Sequence, residues 1–167
     1  MNMRKNVIDI YNSIINNEDI LRLLIYTPID LKNPDDPLDP NKPNILDMNA
    51  EEKFDLIDKH VLKTPKTSEL TVENRICRLC MYPAKRRSGN SSYAMADQDI
   101  VFDIYVHYDI DHADLRMAWI CDYINNFVYN SRITGIGSIR FFDGNAIFNA
   151  PKGYSGYSLI YRFGSVK

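Results

Sequence analysis

No stretch of this sequence approaches the roughly 20 consecutive apolar residues that a membrane-crossing helix requires. The N-terminal "MNMRKNVIDI" also meets Asp9 before an apolar core of the signal-peptide kind can form. The chain is therefore expected to fold inside the cell, with no membrane partner. An excess of one charge is missing too: 20 Lys and Arg stand against 22 Asp and Glu, giving a net charge of -2 and a pI near 5.9. That balance excludes a global attraction to nucleic acid or to an anionic membrane, so any polyanion contact has to be local and is not expected to be sequence-specific.

Cysteine is scarce. Cys77, Cys80 and Cys121 are an odd number without a secretion signal, which points to free thiols rather than a disulfide framework. The C-x-x-C in "ICRLCMYP" lacks a second ligand pair for zinc and a helix start for redox work, so both thiols are read as small apolar residues on one strand. Glycine is sparse, with seven in the chain, and none forms a phosphate cradle. Gly135-Ile136-Gly137 does not open a helix after a strand, and no Gly-rich loop ends in Lys-Ser or Lys-Thr. The serine of "GYSGY" lies where a turn feeds a strand, unlike a nucleophile elbow. No cofactor is expected.

What is present is core-forming material. Hydrophobic residues make up 45% of 167 residues, with eleven tyrosines and seven phenylalanines, enough for a single domain spanning residues 1–167. Met3, Val7, Ile10, Tyr11 and Ile14 fall at helical spacing. Asn16 and Asn17 interrupt that helix, and a second starts near Glu18 and stops at Pro28. Residues 28–49 contain five prolines and five aspartates and are read as an extended proline-rich arm or loop, either functional or simply solvated. Asn49 with Glu52 has capping-box spacing and opens a short helix ending near Lys63, with His60 beside its apolar stripe.

"NRICRLCMYP" is extended and is expected to stop at Pro83, after which residues 84–95 form a small, polar, basic flexible loop. "QDIVFDIYVHYDI" alternates strictly: Ile100, Phe102, Ile104 and Val106 share one face, and Asp103, Tyr105, His107 and Asp109 the other. It is read as a half-buried strand long enough to project beyond the domain. Asp111 then fits a helix N-cap with Asp114 in the first turn, opening a helix with Met117, Ile120, Cys121, Ile124, Phe127 and Val128 along one stripe. Asp143-Gly144 is the strongest hairpin signal in a C-terminal meander of three strands. The pattern predicts an α+β fold: a mostly antiparallel sheet of four to five strands with helices packed on one face.

Three features carry potential chemistry. The cluster "HYDIDHADLR" offers His107, Asp109 and His112 to a metal-dependent hydrolase, although such a centre needs three or four converging ligands and Asp111 is engaged as a cap. Lys85, Arg86 and Arg87 form the only basic run, suited to phosphate in an adaptor that binds protein or nucleic acid through the 84–95 loop, or to a salt bridge with a neighbouring subunit. Tyr105, His107 and Asp109, on the polar strand face, join the basic run as interface candidates.

Taken together, the helix "NVIDIYNSII", the strand "DIVFDIYVHYDI", its passage into "DHADLRMAWICDYINNFV" and the closing "IGSIRFFDGNAIFNAPKGYSGYSLIYRFG" resemble the tail terminator and tail completion proteins of tailed bacteriophages. The resemblance covers about two-thirds of the chain; the proline-rich segment and the C-x-x-C depart from it. It implies a non-enzymatic virion component assembled in the host cytoplasm. Such a component forms a ring, usually hexameric, that caps the tail tube and joins it to the head connector or stopper. Its contacts would be with its own copies, the tail-tube protein and the connector. A ring subunit presents two different faces to its neighbours, and tyrosine-rich surfaces suit such contacts.

Overall fold

The computed structural model describes residues 2–88 and 94–166. Two helices open the chain, α1 (Met3–Ile15) and α2 (Glu18–Ile25). Asn17 separates them because its side-chain oxygen accepts the Ile20 N–H at 3.1 Å, capping α2. Helix α3 (Ala50–His60) starts as expected, with the Asn49 side chain accepting from the Glu52 N–H at 2.9 Å. It ends three residues earlier than the pattern suggested, because Val61–Leu62 leave it to form a short strand, β1.

The proline-rich segment is not a projecting arm. The Arg22 guanidinium donates to the carbonyls of Asp39 and Lys42 at 2.8 and 3.0 Å, while Glu18 accepts from the Ile45 and Leu46 N–H groups at 2.9 and 3.0 Å. Ile45, in a short 3-10 turn (Ile45–Asp47), is fully buried. A segment whose prolines bar it from a sheet is instead fastened by one ion pair of α2 that satisfies its backbone.

Four long elements make the rest of the sheet: β2 (Cys77–Ser88), β3 (Met95–His107), β4 (Ile136–Ala146) and β5 (Tyr154–Val166). The order is β1-β2-β3-β5-β4, antiparallel except for the parallel β1–β2 pair. The fold is thus α+β with a mostly antiparallel five-stranded sheet, as the pattern predicted.

Three local expectations change. Strand β2 runs through Pro83 and on to Ser88, so residues 84–88 belong to the strand rather than to a loop, and Met95 already belongs to β3. The register shifts between Pro83 and Arg86, a bulge that accommodates a residue with no N–H to give. The centre of the expected flexible loop, residues 89–93, lies outside the described residues. Asp143-Gly144 makes no turn; it sits inside β4 at a second register shift. The reversal is made by residues 147–153, where Gly153 takes φ 88° against Val72. Two strands therefore follow the last helix, not three.

Strand β3 is neither half-exposed nor projecting. It is flanked by β2 and β5 and buried on both faces. Phe102, Ile104 and Val106 meet the helices, in a core that includes Ile10, Leu21 and Ile124. On the opposite face Asp99 receives two hydrogen bonds from Arg162 at 2.6 and 2.9 Å, and Asp103 accepts from the Tyr82 hydroxyl. Cys77 and Cys80, three apart on a strand, point to opposite faces, one into the helix-side core and the other into a smaller cluster with Leu70, Ile76 and Tyr154. Burial pushes their thiols up to about 12 and about 11, away from reactive thiolate.

His60 joins α3 to the sheet, its buried Nδ1–H donating to the Cys77 carbonyl at 2.7 Å. Burial lowers its pKa from 6.5 to about 4. Between these values the unfolded chain binds a proton that the folded one refuses, so stability is complete above pH 6.5 and falls as the pH drops towards 4. The expected loss is about 3 kcal/mol, and urea titrations at several pH values should show it shrink in His60→Gln.

Candidate interaction surface

At the junction that begins with His107, backbone geometry governs the side chains. The strand ends and α4 (Tyr108–Asp114) starts with no intervening loop, which leaves helix N–H groups to be satisfied. His107 does this: its Nδ1 accepts the Asp109 N–H at 3.2 Å, and its Nε2–H donates to the Val72 carbonyl at 2.9 Å. With both ring nitrogens held by backbone, the imidazole has no lone pair for a metal. Tyr154 packs edge-on against it at 5.3 Å.

Asp111 does cap the helix expected of it, but from within α4 and not from the N-cap position. Helix α5 (Arg116–Val128) begins after Leu115, whose side chain cannot cap, so the Asp111 carboxylate accepts the Met117 N–H at 2.8 Å and the Ser155 hydroxyl at 3.1 Å. Asp109 pairs with Arg75 at 2.9 Å on the surface, and His112 is exposed on α4. His107 Nδ1 and the Asp109 carboxylate lie 3.7 Å apart, but His112 does not join them, and among the described residues no group of three His, Cys, Asp or Glu is arranged to hold a metal.

The interface candidates also separate. Tyr105 and His107 are buried beneath the connector between β1 and β2, and burial pushes the Tyr105 hydroxyl up to about 12. Arg86 donates to Gln98 at 3.4 Å and to the Val166 carbonyl, whereas Arg87 reaches the Phe142 ring at 5.9 Å. Adjacent strand residues face opposite ways, so the basic run does not converge on one phosphate. Lys85 and Arg87 are exposed, and Asp109 is half-buried in its pair with Arg75.

A different surface is open. Ile120, Ile124 and Val128 of α5 are fully buried against the sheet, but Met117 and Cys121, from the same apolar stripe, look sideways into a groove of about 790 Å³. Leu159 forms part of its lining on β5, Phe141 on the edge strand β4, and Leu115, Asp122 and Tyr129 on the helix side. The groove exists because β4 carries the sheet beyond the helices: it is the edge strand, its outer side bonded through Ile139 to Asn130 and Ser131 at 2.7 and 2.8 Å, and Phe141 and Ile136 are exposed, while Phe142 is exposed with Arg162 over its ring at 3.7 Å. Leu115 lies in the left-handed region at φ 54°, ψ 40°, a conformation costing a branched residue about 1 kcal/mol or more. Its side chain is 71% exposed, so the core gains little from a leucine there. Nothing in the linear pattern distinguished Met117 and Cys121 from their buried neighbours; only the overhang of β4 does.

A family model, YomW, matches residues 17–163, from the cap of α2 to Phe163 in β5. The chain belongs to the YomW family. It is 27% identical, over 168 residues, to the SPbeta prophage-derived uncharacterized protein YomW of Bacillus subtilis (strain 168), an alignment covering 95% of this chain and 94% of that one. The YomW match takes in α5, β4 and β5 whole apart from the last residues of β5, and so includes every wall of the groove. No helix among the described residues is long and apolar enough to cross a membrane.

Proposed function

We propose that this YomW-family chain is a structural component of a phage particle, acting at the head-tail neck as a tail terminator. In this reading it forms an oligomeric ring, hexameric in the usual case, that caps the tail tube and meets the head connector or stopper. The observation that carries it is the open apolar groove between α5 and the edge strand β4, with Leu115, Tyr129 and Phe141 exposed along it. Contiguous apolar surface of that kind marks protein contacts. The prophage origin of the Bacillus relative supplies the phage setting. Function by contact, through residues that other subunits cover, accounts for apolar side chains that the isolated chain leaves in water.

The test is direct. Epitope-tagged protein should co-purify with intact particles, and gold-labelled antibody should mark the junction of head and tail in negative stain. Purified protein added to bare tail tubes should decorate one end. Protein that accumulates in lysates but is missing from purified particles, and that leaves tube ends bare, would overturn the assignment.

A further inference from the structure

We infer that the occupant of the groove is the loop between β4 and β5, residues 147–153, of a second copy of this chain. The loop carries Phe148, which is 99% exposed. It is not a loose tip. Ile147 and Ala150 pack onto the sheet's smaller apolar cluster, the Ile147 N–H donates to the Gly156 carbonyl at 2.8 Å, and the Tyr154 N–H donates to the Pro151 carbonyl at 3.0 Å. A phenyl ring is thereby held in water on a fixed support, the arrangement that lowers the ordering cost of binding and characterises interface anchors.

Charge selects the same match. Lys152 is exposed four residues after Phe148, and Asp122 is exposed on the groove's rim; among the described residues neither makes an ion pair. An aromatic followed by a cation on one surface thus faces an apolar groove bordered by an anion on another, both within one sequence. A single ring supplies about 200 Å² of the area a stable contact needs, so the exposed Leu115, Tyr129 and Phe141 at the groove must be covered as well. Each copy would give its loop to one neighbour and its groove to the other, a heterologous contact that closes into a ring. For that head-to-tail direction the inference rests on the ring reading; the loop-in-groove contact itself does not.

Sedimentation velocity over a concentration series tests it. The wild-type chain should associate, and Phe148→Ser, which removes no core contact, should be monomeric with an unchanged thermal midpoint. Asp122→Lys and Lys152→Asp should each weaken association about tenfold or more, and the double variant should regain it. A bis-maleimide added to the double variant Asp122→Cys/Lys152→Cys should give a ladder above the dimer. Linkage that stops at the dimer would overturn the head-to-tail direction. A wild-type chain that stays monomeric throughout, association untouched by Phe148→Ser, or a groove filled by a small apolar ligand in protein that remains monomeric would overturn the contact. Self-association by these rules in protein absent from particles would sink the neck assignment alone, and tube decoration by a chain lacking the contact would sink this inference alone.

Discussion

Replacing Arg116 with alanine should cost about 3–5 kcal/mol, the range for breaking one partner out of a buried ionic network. Arg116 is the first residue of α5 and wholly inaccessible to solvent. Its Nη1 donates to the carbonyls of Leu23 and Tyr26 at 2.9 and 2.6 Å, and its Nε donates to the Asp114 carboxylate at 3.0 Å. Truncation strips the last turn of α2 of its donor and leaves Asp114 buried without a counter-charge. Among the described residues the Asp114 Oδ1 has no hydrogen-bond partner, so that carboxylate depends heavily on the guanidinium. Arg116→Lys should recover only part of the loss, because one ammonium cannot span two carbonyls and a carboxylate in the fixed geometry of the fork. Equilibrium urea unfolding of the three proteins, with slopes compared, measures this. A loss below about 1 kcal/mol for the alanine variant would mean that water replaces the network.

Phe102→Ala should be of similar size, about 3–5 kcal/mol, for a different reason. Phe102 is at the middle of the central strand, fully buried, with Tyr161 edge-on at 5.4 Å from the adjoining strand. Both backbone edges of β3 are held in ladders, so the sheet cannot close around the vacated volume. Thermal unfolding should show the midpoint lowered by on the order of 10 °C, and Phe102→Leu should lose far less.

Elements whose causes are local were readable in the sequence. Asn17 and Asn49 cap the helices they precede because the bond spans three residues, and the alternation from Ile100 to Val106 specifies a strand whatever surrounds it. What depended on distant partners was not readable. Asp99 looks solvent-facing until Arg162, 63 residues away, is laid beside it, and His107 looks like a ligand until Val72 claims its Nε2. The five prolines of residues 28–49 forbid regular structure but say nothing about Arg22, which gathers the segment in. The candidate site fell wholly into this second class. Lys85 to Arg87 and the His107 corner drew attention through composition, whereas Leu115, Asp122 and Phe148 are unremarkable in sequence and acquire meaning only from a strained backbone, a groove rim and a pinned loop.

The position of β5 has a consequence for how the protein is made. It is the last of the five described strands yet lies inside the sheet, between β3 and β4, and pairs with β3 along its whole length from Met95 to His107. During synthesis, therefore, the central, buried strand waits with one edge bare until residues 154–166 have left the ribosome. Such an edge is a template for wrong pairing, and closing contacts between residues so far apart is slow. The nascent chain is at its most aggregation-prone just before translation of β5 is complete, and its yield in a host will depend on how quickly that final strand arrives.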